Sequence, residues 1–141
     1  FCAVITRTDP SAAMPKLYEL WLSNNNIGDA GASALFLAFK MGAMDNLGDL
    51  RLQYNHLGDE SCKSLVGVLG GYPLSNVWYL GFNNNAFSND GLRVLEEALA
   101  KGALPRLEFF TASSPQSTSE MQQQLQDTFT HRDRPPKPPR K

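Results

Sequence analysis

Leu17 to Ile27 reads LYELWLSNNNI, Leu47 to Leu57 reads LGDLRLQYNHL, and Val77 to Phe87 reads VWYLGFNNNAF. The three stretches begin 30 residues apart. Each carries apolar side chains at its first, fourth, sixth and last positions, and Asn25, Asn55 or Asn85 at the ninth. A phrase held in register three times is a repeat unit, and its period decides the architecture before any local detail does.

Each unit divides in two. Around Leu20-Trp21-Leu22 and its counterparts, apolar residues alternate with others, the period-two signature of a short strand with one buried face. After Ile27, Leu57 and Phe87 the period becomes helical. Asp29, Asp59 and Asn89 share one column, and their side chains suit a helix N-cap. Behind them Leu35, Ala38 and Phe39 recur as Leu65, Val68 and Leu69, then as Leu95, Ala98 and Leu99, spacings that share one helical face. Gly42, Gly71 and Gly102 stand where each helix should stop. The unit is therefore strand, loop, helix, turn, over residues 17–46, 47–76 and 77–106.

The flanks depart from this pattern. In residues 107–130, Leu107 and Phe110 fit, but Ala112 replaces a bulky residue and Pro115 replaces the asparagine. Ser119 falls in the N-cap column, Leu125 and Phe129 in core columns, and the rest is largely Gln, Asp and Thr. A stack of repeats must end in a unit with a polar outer face, so this segment is expected to be a degenerate C-terminal capping repeat. Residues 1–16 are expected to be the remnant of a preceding repeat or an N-terminal flank, since Val4 and Ile5 sit in the columns of Ala34 and Leu35. Phe1 opens the chain in mid-phrase, which suggests a longer parent. The last stretch, HRDRPPKPPRK (131–141), is expected to be a disordered, extended, polyproline-II-like tail, because proline removes donors and fixes φ.

Neither half of a unit can bury its apolar face alone, so stacking supplies the core. Adjacent strands approach to about 4.8 Å, whereas adjacent helices need roughly 8–10 Å. The helical side is longer, and the stack must curve with a parallel sheet on its concave surface. Where each strand turns toward the core, backbone groups leave the ladder without water nearby. An inward amide offers donors and an acceptor, the role expected of Asn25, Asn55 and Asn85.

These residues resemble the leucine-rich repeat, L-x-x-L-x-L-x-x-N-x-L. The continuations Ile27-Gly28-Asp29 and Leu57-Gly58-Asp59, each followed by a long helix, resemble its ribonuclease-inhibitor-like subclass, as in the C-terminal arrays of NOD-like receptors. The resemblance implies an α/β leucine-rich-repeat solenoid, a right-handed superhelix with the sheet inside and the helices outside. It also implies a non-catalytic scaffold that binds a protein on its concave face. Two other contexts carry the same repeats: a GTPase-activating protein of the Ran type, which would need more repeats and an acidic terminus, and the sensor array of a NOD-like receptor.

Composition narrows the possibilities further. Apolar content of 42% and charged content of 19% are those of an ordinary globular chain. The net charge of −1 is uneven: residues 1–130 sum to −5 and residues 131–141 to +4. The body is thus no nucleic-acid binder, and no apolar run is long enough for a membrane span. Cys2 and Cys62 fall two repeats apart, roughly 16–20 Å if helices space the repeats. That exceeds the roughly 7 Å a disulfide allows, and a reducing, cytoplasmic setting is the simpler expectation. No metal-ligand spacing, phosphate loop or nucleophile motif is present, so no cofactor or metal is expected.

Function is expected in the columns that change between copies. Residues flanking the buried strand positions should point into the concavity: Glu19, Asp49, Tyr79 and Phe109 in one column, Trp21, Arg51, Gly81 and Thr111 in another, and Ser23, Gln53, Asn83 and Ser113 in a third. Tyr18, Tyr54 and Trp78 should border them. Trp, Tyr and Arg are enriched at binding hot spots. The bland alternative for Trp21 is packing against a neighbouring repeat. In the tail, Arg132-x-x-Pro135-x-x-Pro138 and Pro135-x-x-Pro138-x-Arg140 fit the loose pattern of SH3 ligands, so an SH3-type domain is a second candidate partner.

Overall fold

Each repeat spends only three or four residues on its strand. The computed structural model describes residues 17–69 and 74–132. The expectations for residues 1–16, for Gly71 and for the tail from 133 onward lie outside those residues. Strands β1 (Glu19–Trp21), β2 (Asp49–Arg51), β3 (Tyr79–Phe82) and β4 (Phe109–Ala112) form one parallel sheet in chain order. Its register is the repeat register, with Leu20, Leu50, Leu80 and Phe110 as successive partners. All four are buried. Helices α1 (Gly28–Lys40), α2 (Asp59–Val68), α3 (Asn89–Ala100) and α4 (Ser119–His131) return the chain between strands, and each packs on the next.

The core is the seam between the two layers. Leu35, Leu65, Leu95 and Leu125 face it from the helices, and Leu47, Leu52, Leu57, Val77, Phe82 and Phe87 from the strand side. Phe36 is also fully buried and meets Phe39 at 6.1 Å between ring centroids. The repeat pattern does not reveal this, because Phe36 shares its column with Val66, Glu96 and Gln126. Gly42 and Gly102 follow the ends of α1 and α3 with φ of +79° and +94°, a region that glycine enters without steric cost.

Asparagine joins one repeat to the one before it. Asn55 Oδ1 accepts from the backbone N–H of Asn25 (2.8 Å) and Ile27 (3.3 Å), while its Nδ2 donates to Leu22 O (2.7 Å). Asn85 repeats the pattern on Asn55 N (2.9 Å), Leu57 N (3.1 Å) and Leu52 O (2.9 Å). Both side chains are buried. Asn25 is exposed, and its Nδ2 donates within its own loop, to Leu22 O and Ser23 O.

The aspartate column does not cap its own helices. Asp29 lies inside α1, and its Oδ1 accepts from Gly58 N (2.8 Å), Ser61 N (3.1 Å) and the Ser61 hydroxyl at the start of α2. Asp59 does the same for Ser88 N (2.8 Å) and the Ser88 hydroxyl, and Asn89 for Thr118 N (2.9 Å). The N-cap residues of α2, α3 and α4 are thus held by the preceding repeat, and in α2 so is an N–H of the first turn, that of Ser61. In the last unit the N-cap is Thr118, whose hydroxyl accepts from Met121 N at 3.2 Å, and Ser119 is the first helical residue.

The loops around the asparagines need left-handed backbone. Asn24, Tyr54 and Asn84 have φ of 62°, 58° and 59°, and Asn26 and His56 have 51° and 58°. Asparagine tolerates this region better than most residues. Tyrosine in the second copy carries strain there. At the other end, the tail reading begins too early. His131 closes α4, and Arg132 donates to Ala103 O, to Leu104 O (2.6 Å) and over the Phe129 ring, pinning the helix end to the turn before β4.

Asn55→Ala strands two backbone donors, those of Asn25 and Ile27, while Leu22 O keeps the Asn25 amide. The expected cost is about 1–3 kcal/mol of unfolding free energy by chemical denaturation, with a clearly smaller cost for Asn25→Ala. Asp59→Ala should cost about 1 kcal/mol, the usual worth of a helix cap, although its own helix keeps every backbone bond.

Candidate protein-contact face

Alternation along each strand sends one set of side chains into the core and the other out onto the concave side of the sheet. The pairing that aligns the leucines also aligns the outward residues: Glu19 with Asp49, Asp49 with Tyr79, Tyr79 with Phe109, and Trp21 with Arg51. The neighbours stand one strand spacing apart, about 4.8 Å, close enough for side chains to stack.

Arg51 is the hub of this row. Its guanidinium carbon lies 4.2 Å from the centroid of the Trp21 ring and 4.6 Å from that of Tyr79, a cation between two π faces. Its Nε and Nη2 donate to Asp49 Oδ1 (2.9 Å) and Oδ2 (2.8 Å). The hydrogen bond to Asp49 holds the Arg51 proton more firmly than usual, against a smaller opposing effect of burial. Asp49 itself is only 2% exposed. Sequence alternation placed it beside Glu19 as a surface acid, but it lies buried against the Arg51 guanidinium. Its task is to aim the guanidinium, while Glu19 remains open to solvent.

Rings flank this hub. Trp21 is 58% and Phe109 56% exposed, far more than large apolar residues of the core. Tyr79 and Phe109 stack at 6.1 Å, and Trp78 meets them edge-on at 5.9 and 6.0 Å. Trp78 and Tyr18 close over Gly48, where an added Cβ would come within 2.7 Å of Tyr18 and 3.1 Å of Trp78. Tyr54 is exposed on its strained loop.

The third column is mostly occupied with itself. Gln53 accepts from the Ser23 hydroxyl at 2.8 Å, and Asn83 from the Thr111 hydroxyl at 2.9 Å. Gln53 lies over Gly81, where a Cβ would stand 2.2 Å from its Nε2. Gly81, which the sequence places in the column of Trp21 and Arg51 without a role of its own, belongs to the site as the floor under Gln53. The signal was a glycine standing in a column that otherwise holds Trp21, Arg51 and Thr111.

Other chemistry has little foothold. Among the described residues no group of three or more His, Cys, Asp or Glu is placed to hold a metal, and no helix is long and apolar enough to cross a membrane. Cys62 is buried, and burial, with Asp59 and Asp29 adding to it, pushes its thiol far above the ordinary range. The thiolate is the nucleophile, so this sulfur is expected to react slowly in the folded protein.

A parallel sheet backed by helices, repeated at a fixed period and with a hydrogen-bonded asparagine at each turn, defines an α/β repeat solenoid. Residues 13–36 and 46–66 match the family described as Leucine Rich repeat. The ribonuclease inhibitor of the pig, Sus scrofa, is 36% identical over 105 residues, which is 72% of this chain and 21% of that protein. The chain is a leucine-rich-repeat protein of the ribonuclease-inhibitor-like kind. It spans about a fifth of the length of the curated relative it matches.

Arg51→Ala removes the side chain that lies over Asp49 and lets water reach the carboxylate, so unfolding free energy should fall by only about 1 kcal/mol. Trp21→Ala, which exposes no buried charge, should cost clearly less. In a Cys2→Ser chain, Cys62 should resist a thiol reagent at pH 8 and react fully once the protein is unfolded in denaturant.

Proposed function

We propose that the row Trp21–Arg51–Tyr79–Phe109 on the concave sheet grips a folded protein partner, with Glu19, Tyr54 and Trp78 at its margin. The observation that carries this reading is the contrast between the two ends of the row and its middle. Arg51 is fixed by Asp49 and by two rings, while Trp21 and Phe109 are left more than half exposed. Preorganised cations and rigid aromatic rings lose little entropy on binding and dominate interface energetics. Gln53 and Asn83 set the shape of the surface through their bonds to Ser23 and Thr111.

The pig relative is by its name an inhibitor of ribonuclease. From that name this proposal takes only the class of partner, a protein enzyme or another folded protein. Residues 107–130 serve in this reading as the capping unit of the array, and the scaffold performs no chemistry.

Tyr54 adds a second support. Its left-handed backbone costs about 1 kcal/mol relative to a relaxed residue, and asparagine occupies the same column in two other copies. Strain kept at an exposed aromatic residue points to use of the ring.

Trp21→Ala and Phe109→Ala should each weaken partner binding by more than about 1 kcal/mol in calorimetric titration, with the fold retained. Tyr54→Asn should raise the denaturation midpoint and lower affinity together. A partner held equally by all three variants, but lost on changing Leu37 of α1 and Met41 just after it, would move the interface to the helical side.

A further inference from the structure

Toward the C-terminal ends of the strands the concave surface changes from rings to amides. Gln53 and Asn83 are neighbours in one column, about one strand spacing, 4.8 Å, apart. Both amides have committed their oxygens. Gln53 Oε1 accepts from the Ser23 hydroxyl at 2.8 Å, and Asn83 Oδ1 from the Thr111 hydroxyl at 2.9 Å. Their nitrogens remain as donors. Arg51 is placed alike, because Asp49 takes its Nε and Nη2 and leaves both N–H groups of Nη1. Among the described residues nothing accepts from Arg51 Nη1, Gln53 Nε2 or Asn83 Nδ2. All three residues are half-buried.

Gly81 lets two of these donors converge over one strand. It pairs with Arg51 across the sheet, and Gln53 lies over it with Nε2 nearest to the place a Cβ would take. The Arg51 guanidinium meanwhile lies over the ring of Tyr79, two residues earlier on the same strand. Two residues of strand span about 6.6 Å. One carboxylate bridges such a gap when each of its oxygens accepts a hydrogen bond of about 2.9 Å. We propose that Arg51 Nη1 and Gln53 Nε2 form a seat for a carboxylate, with Asn83 Nδ2 at its far side.

A carboxylate suits this seat better than a neutral acceptor does. Hydrogen bonds from a charged donor to a charged acceptor are shorter and stronger than neutral ones. Trp21 and Tyr79 lie 4.2 and 4.6 Å from the guanidinium carbon and cover its two faces, so a ligand must meet it at an edge. One edge already holds Asp49, whose carboxylate is buried and spent there. Glu19, the exposed acid at the start of β1, bears on the Arg51 charge less than Asp49 or Tyr79 does. Both donors are also held in place beforehand, Arg51 by Asp49 and Gln53 by Ser23, and lose little freedom when a ligand arrives. The seat deepens the reading of this face as a protein-contact surface, and it rests on that reading only for the origin of the carboxylate. An acidic side chain and a chain terminus both carry the group.

The test is an NMR titration of the isotope-labelled full chain with capped tripeptides, so it needs no protein partner. Acetyl-Gly-Asp-Gly-amide offers a side-chain carboxylate, acetyl-Gly-Gly-Gly a terminal one, and acetyl-Gly-Asn-Gly-amide neither. A saturable shift of the Arg51 Nε–H and Gln53 amide signals with the two carboxylate peptides is expected, with an affinity on the order of millimolar. The stronger of the two identifies the source that fits. Gln53→Ala should weaken binding by about tenfold, the worth of a hydrogen bond to a charged group. Arg51→Lys, which keeps a cation beside Asp49 but loses the fork, should do the same. Circular dichroism checks that both variants fold. An equal response to the asparagine peptide, an unchanged affinity in either variant, or no saturable response at all overturns the proposal. Each of those results leaves the partner-binding roles of Trp21 and Phe109 to their own test.

Discussion

Every repeat in this protein leaves polar backbone groups that only its neighbour can satisfy. The asparagine of one unit accepts from two N–H groups of the unit before it, and the aspartate of one unit caps the helix of the unit after it. Buried donors and acceptors without partners cost as much as whole side chains of apolar packing. The repeats are therefore interdependent in both directions, and a single unit would have neither a closed core nor satisfied turns. Curvature follows from the same stacking, because strands and helices have different natural spacings. The concave face is a consequence of these bonds rather than a separate feature.

On that face, the residues divide by what changes between copies. Leu20, Leu50 and Leu80 are interchangeable and say nothing of a partner. Trp21, Arg51 and Gly81 occupy one column and differ in size, charge and shape, and each difference has a physical outcome: an exposed ring, a caged cation, and room for Gln53. The cage is the feature that a contact list would undervalue. A guanidinium held by a buried carboxylate and two rings has little freedom left to lose when it is bound.

The scaffold was legible in the sequence because hydrophobic period and asparagine spacing are direct images of burial and hydrogen bonding. Less legible were the features set by groups thirty residues away. Asp29 and Asp59 look like caps for their own helices, since local sequence cannot show that the neighbouring helix start lies closer. Asp49 reads as a surface acid by alternation, and only the fold of Arg51 back along its own strand buries it. The left-handed loop positions were half visible: Asn24, Asn26 and Asn84 carry the signal, while Tyr54 and His56 conceal it. Arg132 reads as tail from its proline-rich context, yet it fills an orphaned helix-end position by bonding three residues of the previous turn region.

The claim at the centre is that invariant columns build the scaffold and variable outward columns bind. Hydrogen exchange of the chain, free and saturated with a captured protein partner, tests it most directly. Slowed exchange confined to the strands and loops that carry Trp21, Arg51, Tyr79 and Phe109, with the outer faces of α1 to α3 unchanged, is the result expected. Protection along those helices, with the sheet residues unaffected, would contradict it.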